Sequence, residues 1–354
     1  MTIDTDRRAL HLLLQQALEI ELFTIGPYLT ALYSIPKGAN SDCTDIIKSV
    51  VMEEMLHMAL VANVMNAIDG TPRLSRELVK KEGVPGLSLE NRYYPHNLPH
   101  VTRELRISLR PFSRKAIEDF REIERPHGAD SWLQKPANQG EKTSSIGEFY
   151  ELLMNRLIAT AMHWGEKALF TGSPGKQVPW VEYYGAGGNI IKVFGLADAK
   201  NALLEVAQQG EGRRYTNLTG DSEEFGQPKE VAHFYRFEEI LAGRRYDRDD
   251  DVGLDPSGAE LPVDWNAVFP MDANPRADKT HPPGVTQLIQ NFERAYDEVL
   301  HELHLAFNGD PGAMWKRAVP AMAVVRDASI GLMKLNSDAD RGNGPPFWFV
   351  ELVR

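Results

Sequence analysis

With 354 residues, the chain is long enough for one large domain or two ordinary ones and can bury a substantial core. Its net charge of −11 argues against a nucleic-acid or anionic-membrane partner, because phosphate binding requires a basic surface. The single cysteine, Cys43, excludes an internal disulfide framework and a cysteine-rich zinc or iron–sulfur site.

Apolar residues are nowhere continuous enough for a signal peptide or a membrane-spanning helix. The N-terminal residues lack the apolar segment of about 7–15 residues that precedes a signal-peptide cleavage site. No stretch approaches the ~18 uninterrupted apolar residues of a spanning helix. We therefore expect a cytoplasmic protein without a membrane partner.

Helical periodicity dominates the chain. Apolar residues recur at helical spacing over residues 6–33, and Pro27 predicts a kink there. A second helix is predicted to begin at Ser41 or Asp42, either of which can serve as its N-cap, and to end near Ile68. Further helices are predicted at residues 113–123, 145–170, 196–211, 229–242, 285–307 and 312–336.

Two long segments, residues 72–142 and 243–283, are rich in proline, glycine and charged residues. The first contains short β candidates, notably Leu105–Leu109. Long connections in a compact bundle normally carry function or cover a site. The sequence therefore predicts one mainly α domain over residues 1–354, a four-helix bundle with decorating loops, minor β structure and extra C-terminal helices.

The motif Glu-x-x-His places a carboxylate and an imidazole on one helix face, because residues three apart are neighbours on an α-helix. Such ligands suit iron or manganese. Di-iron bundles take one such pair from each of two helices and one glutamate from each of two more. Chance predicts about one occurrence from 28 glutamates and 10 histidines, whereas the chain has four: Glu54–His57, Glu124–His127, Glu230–His233 and Glu298–His301.

The first pair has a partner carboxylate on the preceding helix. Glu21 and Glu54 are equally far along the chain from the turn at residues 37–38. In an antiparallel helix hairpin they would face each other at one level, with His57 one turn further along. The spacing therefore predicts a half-site of Glu21, Glu54 and His57.

The second half-site is predicted around His233. Glu211 ends one helix and Glu230 opens the next, on either side of a loop that contains glycine and proline. Because both residues lie next to this loop, we expect them at the same height in the bundle. Glu211 is therefore the favoured partner of Glu230 and His233. Glu205 would lie about 9 Å higher, at ~1.5 Å per residue, and is kept as the reserve ligand.

The two remaining motifs receive structural interpretations. Pro126 interrupts the Glu124–His127 pair, which is therefore interpreted as a coincidence in a loop. No partner glutamate is evident for Glu298–His301, which is interpreted as structural.

Simpler alternatives exist for several other residues. Glu19 and Glu53 are predicted to be solvated surface residues. His57 and His233 could instead be satisfied core histidines, although the coincidence of two half-sites favours ligation. His163 lies on an apolar helix and is interpreted as a pocket or packed core residue.

The residues around these positions resemble a known family. The chain reads Glu21-Leu-Phe-Thr-Ile-Gly-Pro-Tyr, Val51-Met-Glu-Glu-Met-Leu-His-Met, Gln209-Gly-Glu-Gly and His233-Phe-Tyr-Arg-Phe-Glu-Glu-Ile. These stretches are similar to the ferritin-like domain of the iminophenylpyruvate dimer synthases, oxidative coupling enzymes of the violacein and indolocarbazole pathways. The likeness extends from about residue 10 to 310. Those synthases are much longer than this chain, so a different substrate is an alternative for this chain.

The resemblance implies two iron ions, with manganese or a mixed pair as the alternative. Tyr28 and Arg236 are expected to orient the ligands through hydrogen bonds. By position, the resemblance implies the ligands Glu21, Glu54, His57, Glu211, Glu230 and His233.

The activity implied is that of an O2- or peroxide-dependent oxidoreductase of secondary metabolism, acting on imine-bearing aromatic amino-acid derivatives. An iron-handling or peroxide-detoxifying protein without an organic substrate is the alternative. A helical binding protein with a structural or vestigial metal site is a third hypothesis. The expected partners are a small-molecule substrate and O2 or peroxide, and assembly into a homo-oligomer is left open.

Overall fold

A computed structural model describes residues 2–74, 97–101, 105–126, 143, 145–183, 187–211, 231–247, 250, 255–275, 281–337 and 340–347. Almost all regular structure in these residues is helical, which confirms the predicted mainly α class. The helices in chain order are α1 (Ile3–Ser34), α2 (Ser41–Ala67), α3 (Arg114–Ile123), α4 (Ile146–Trp164), α5 (Glu166–Leu169), α6 (Leu196–Glu211), α7 (His233–Ala242), α8 (Pro283–Phe307) and α9 (Val319–Lys334).

Four of these helices form a closed bundle. Helix α1 packs against α2 and α4, and α6 closes the bundle by packing against the same two helices. The shorter helices α3 and α7 pack on each other, and both contact the bundle. Helices α8 and α9 form a further pair that contacts the α1–α2 hairpin.

The middle of the α1–α2 hairpin is buried on all sides. Leu14, Leu18 and Phe23 are fully buried on α1, as are Val50 and Leu60 on α2. Acidic and histidine side chains lie within this apolar interior, and a buried charge requires a compensating partner. The same two helices therefore build the core and carry the polar centre.

Several helix boundaries differ from the sequence prediction. Asn40, with φ 45°, precedes α2 as its N-cap in place of the predicted Ser41 or Asp42. The Asn40 side chain bonds the backbone of Asp264 instead of the helix. Gly165, with φ 86°, divides the helix predicted over residues 145–170 into α4 and α5.

Other elements also departed from prediction. Leu105–Leu109 forms no strand; Arg106 makes only an isolated antiparallel bridge to Asn97. The last predicted helix begins as a π-helical segment, Met314–Ala318, before α9. Helix α1 continues through Pro27, and the kink predicted there stays a prediction.

Most of the predicted insertion over residues 72–142 lies outside the described residues, so its role as a cover of the bundle stays a prediction. The single-domain organisation and the covering role of residues 243–283 also stay predictions. Within the described chain, no helix combines the length and apolarity needed to cross a membrane.

Candidate metal centre

One half of the centre lies between the first two helices of the bundle. Glu21 from α1 and Glu54 and His57 from α2 are each at most 3% exposed. The His57 Nδ1 atom lies 3.1 Å from Glu21 Oε2 and 3.9 Å from Glu54 Oε2. One ligand atom from each residue lies within 4.8 Å of the others. The structure thus brings together the three residues that the helix spacing predicted.

A second group shares Glu54 and adds residues from two short helices. His233 is the first residue of α7, and Glu124 follows the last residue of α3. The His233 Nδ1 atom lies 3.0 Å from Glu54 Oε1 and 3.7 Å from Glu124 Oε2. These ligand atoms also lie within 4.8 Å of one another.

The Glu54 carboxylate lies between the two histidines, with one oxygen toward each. Its Oε2 faces His57 and its Oε1 faces His233. The two imidazole rings stack with centroids 5.6 Å apart. Glu54 is therefore the one residue that belongs to both ligand groups.

The donor set fits a pair of transition-metal ions. His233 Nδ1 is buried and has no hydrogen-bond partner among the described residues, although two carboxylate oxygens lie close to it. A buried nitrogen left in this way is unfavourable unless a cation or proton satisfies it. Mixed carboxylate and imidazole donors suit iron or manganese.

Charge also favours cations at this centre. Among the described residues, no lysine or arginine pairs with Glu21, Glu54 or Glu124. Burial and the neighbouring carboxylates raise the pKa of Glu54 to about 8. Burial alone would lower the pKa of His57, yet the Glu21 carboxylate raises it to about 9. Without metal, the centre therefore retains protons where cations would otherwise balance the carboxylates.

Hydroxyl groups orient the candidate carboxylates. Burial raises the pKa of both Tyr28 and Tyr150 well above its usual value, so both phenols stay protonated and act as donors. Each carboxylate accepts one such bond: Glu21 from Tyr150 (2.5 Å), Glu54 from Thr24 (2.9 Å) and Glu124 from Tyr28 (2.5 Å).

A buried ion pair supports His233. The His233 Nε2 atom lies 2.8 Å from Glu53 Oε2, and Arg236 donates to Glu53 Oε1 at 2.7 Å. Burial opposes ionisation of Glu53, but the Arg236 charge and the His233 bond hold its pKa at about 2. An anionic partner on Nε2 leaves Nδ1 as the metal-binding nitrogen and increases its basicity.

His57 has a neutral partner instead. Gln209 on α6 donates through its amide nitrogen to the Gly187 carbonyl and to Glu205 Oε1, both at 3.1 Å. Its amide oxygen therefore faces His57 and accepts from Nε2 at 2.8 Å. This hydrogen bond orients the imidazole ring so that Nδ1 faces Glu21 and Glu54.

The structure describes only part of the predicted second half-site. Glu230 and the side chain of Glu211 lie outside the described residues, so both stay predicted ligands. A Cβ on Gly210 would lie 3.5 Å from Glu124 Oε2, which brings the end of α6 close to the centre. Glu205 is buried and bonds Gln209, and it belongs to neither ligand group.

The sequence interpretation of the Glu124–His127 motif as a coincidence in a loop, based on Pro126, overlooked Glu124 as a candidate ligand. His127 lies outside the described residues, whereas Glu124 is buried and belongs to the ligand group of Glu54 and His233. On α3, Ile117 and Phe120 mark the buried face, and Glu124 continues that face. A carboxylate on the apolar stripe of an amphipathic helix was the signal that could have found it.

Two acidic residues predicted to be solvated are buried. Glu53 is 4% exposed because it bonds His233 and Arg236, as described above. Glu19 is 1% exposed, and His100 Nε2 lies 2.7 Å from its Oε2. Both lie in the middle of the α1–α2 hairpin, which is buried on all sides, so a helix face away from the ligands is not solvated there.

The remaining histidine predictions have mixed outcomes. His163 is exposed on α4 with its ring edge-on to Trp164, so it is neither a pocket residue of the centre nor a packed core residue. Glu298 and His301 are exposed on α8, outside both ligand groups.

Comparisons with known proteins agree with this architecture. A family model described as ferritin-like matches residues 14–242, which include all five residues of the two ligand groups. The solved structure of a ferritin-like protein from Caulobacter vibrioides is 21% identical, with a TM-score of 0.57 over 96% of this chain and 97% of that one. This likeness concerns the fold alone. A search of curated proteins finds no match. Since the family model covers more than half of its length, the chain belongs to the ferritin-like family.

Proposed function

We propose that this protein is a di-iron oxidoreductase that uses O2 or peroxide to oxidise a small organic substrate. The observation that carries the proposal is the position of Glu54, which presents one carboxylate oxygen to each of two buried histidines. Each histidine also has a carboxylate of its own, Glu21 for His57 and Glu124 for His233, which supports two metal positions on either side of Glu54.

Five described residues would hold the two ions. Glu21, Glu54 and His57 would bind one, and Glu54, Glu124 and His233 the other. We further propose Glu211 and Glu230 as additional ligands, on the strength of their sequence positions and of the approach of Gly210 to Glu124. Manganese or a mixed pair would suit the same donors.

When bound, the two metal ions would supply electrons to the oxidant and hold the substrate in position. The protein excludes water, because every described ligand is at most 4% exposed. Tyr28 and Tyr150 hold protons beside the carboxylates. In a coupling reaction, two substrate molecules each lose one hydrogen atom, one carbon–carbon bond forms, and one peroxide is reduced to two waters.

The family resemblance supports imine-bearing aromatic amino-acid derivatives as the substrate class. The test is to load the protein with Fe(II), supply peroxide and the imine of phenylpyruvate, and look for the coupled product by mass spectrometry. The wild-type protein and a Glu298→Ala variant should form it, whereas Glu54→Ala should not. Glu298 is a matched control because it belongs to an exposed Glu-x-x-His pair.

The same experiment addresses the alternative function. Peroxide consumption that is metal-dependent, equal with and without the imine, and accompanied by no oxidised organic product would contradict the proposal. That result would favour an iron-handling or peroxide-detoxifying protein.

A further inference from the structure

A cavity of about 560 Å³ lies between the α1–α2 hairpin and the C-terminal helices α8 and α9. Its volume is within the range of about 300–1,000 Å³ typical of small-molecule sites. No residue of either metal-ligand group lines it. Its largely apolar lining is also typical of such sites.

The walls of this cavity are apolar and adaptable. Five of the chain's 11 methionines line it, together with aliphatic residues and Phe307. Methionine is unbranched and flexible, so it can pack around a ligand of variable shape. The lining methionines are Met52, Met55, Met58, Met314 and Met322.

The rim of the cavity is cationic. Lys37, Lys48 and Arg326 line it and are exposed, and none of its described lining residues is acidic. Neither lysine forms an ion pair with the described residues, while Arg326 pairs with the adjacent Asp327. In a chain of net charge −11, such a cluster gives this site a local positive potential.

A hydroxyl donor, Tyr33, also lines the cavity. Tyr33 is half-buried and makes no hydrogen bond within the described chain. Burial raises the pKa of this phenol above its usual value, so it is a donor at neutral pH. A ligand carboxylate could therefore accept this bond beside the cationic rim.

We propose that this cavity binds a medium-chain fatty acid, with its tail among the methionines and its carboxylate against Lys37, Lys48, Arg326 and Tyr33. The apolar walls require an apolar body, and the two lysines without an ion pair in the described residues favour an anionic head group. The site lies on a different face of α2 from the metal ligands and does not depend on the proposed metal chemistry.

The direct test is calorimetric titration of the full chain with dodecanoate below its micellar concentration. Dodecan-1-ol and dodecylammonium serve as neutral and cationic probes with the same tail. Dodecanoate should bind once per chain, with the alcohol weaker and the ammonium weaker still. Equal affinity for all three probes, or no binding of dodecanoate, would overturn the proposal.

Charge variants test how the head group is recognised. The triple variant Lys37→Gln, Lys48→Gln and Arg326→Gln should bind dodecanoate about tenfold more weakly, from the modest strength of each exposed pair. Its affinity for dodecan-1-ol should stay unchanged. Lys167→Gln removes one positive charge at an exposed position outside the cavity and should bind like wild type. Unchanged dodecanoate binding in the triple variant would contradict the assigned head-group position.

Cavity-filling variants test the tail site. Met55→Trp should abolish binding of both dodecanoate and dodecan-1-ol, and Ala323→Phe provides a second variant if the first does not fold. Thermal unfolding identifies the folded variants. Retained dodecanoate binding in a folded, filled variant would overturn the proposal. Dimerisation that Met55→Trp abolishes, without dodecanoate binding to wild type, would instead assign the cavity to a second copy of the chain.

Discussion

The Nδ1 atom of His233 lies 3.0 Å from Oε1 of Glu54, yet the contact lacks hydrogen-bond geometry. The other oxygen of Glu54 lies 3.9 Å from Nδ1 of His57. Two imidazole nitrogens therefore approach one carboxylate from different sides. A cation on each side would satisfy both nitrogens and both oxygens, which makes Glu54 the central residue of the proposed centre.

Single substitutions on either side of Glu54 should separate the two metal positions. Glu21→Ala should remove about one metal ion per chain from the His57 side, and Glu124→Ala about one from the His233 side. The reason is that each glutamate contacts only one of the two histidines. Elemental analysis of the purified variants measures this, with Glu298→Ala as the control. Full metal content in both variants would contradict the assignment.

Metal affinity should depend on the residue that contacts Nε2 of each histidine, Glu53 for His233 and Gln209 for His57. Glu53→Gln should weaken metal binding on the His233 side by about 10–100-fold, because it replaces the anion on Nε2 with a neutral amide. Gln209→Glu should strengthen binding on the His57 side for the converse reason. Calorimetry with Mn(II) measures both variants.

Glu53→Gln also leaves Arg236 without its buried counter-charge, so thermal unfolding of the metal-free variant is the necessary control. Equal Mn(II) affinity in wild type and a folded Glu53→Gln variant would show that the ion pair does not tune the site.

The stabilisation that metal confers should grow as pH rises from 6.5 to 9. In the metal-free protein the pKa of Glu54 is raised to about 8 and that of His57 to about 9. Raised pKa values contribute stability that is present at low pH and lost as pH rises through the folded value. Metal replaces those protons, so the bound form avoids this loss.

Thermal unfolding with and without Mn(II) at pH 6.5 and 9 checks this dependence. The difference in Tm should be larger at pH 9, and calorimetry at pH 7 should detect proton release on binding. A Tm difference that shrinks with rising pH would contradict the assigned protonation.

Gly187, whose carbonyl accepts a hydrogen bond from Gln209, lies close against the backbone of α2. Gly187 has φ 86°, and a Cβ there would lie 2.7 Å from the Met52 carbonyl oxygen. Gly187→Ala should therefore lower the free energy of unfolding by about 1–3 kcal/mol, the scale of local backbone strain. Denaturant unfolding measures this. Gly284→Ala is the matched control, since no atom lies within 4 Å of a Cβ at that position. Equal stability of the two variants would contradict the close approach.

The sequence predicted the long helices and the hairpin half of the centre well. Continuous apolar periodicity defined α1, α2 and α6 to within a few residues. The level relation of Glu21 and Glu54 followed from helix geometry alone, because it needs only a short connection between antiparallel helices.

The rest of the centre depends on contacts between segments distant in the chain. Glu124 lies more than 100 residues from His233, and no local pattern links them. The burial of Glu53 likewise required knowledge of Arg236, 183 residues further along. Gly165 ends α4 through a positive φ that periodicity does not reveal.

Iron content per chain tests the central claim most directly. The protein should be loaded anaerobically with Fe(II), desalted and analysed for iron, alongside Glu54→Ala and His233→Ala variants whose folding is checked by thermal unfolding. We predict about two iron ions per wild-type chain and loss of both in Glu54→Ala, because that carboxylate serves both positions. Full retention of iron in both folded variants would contradict the account.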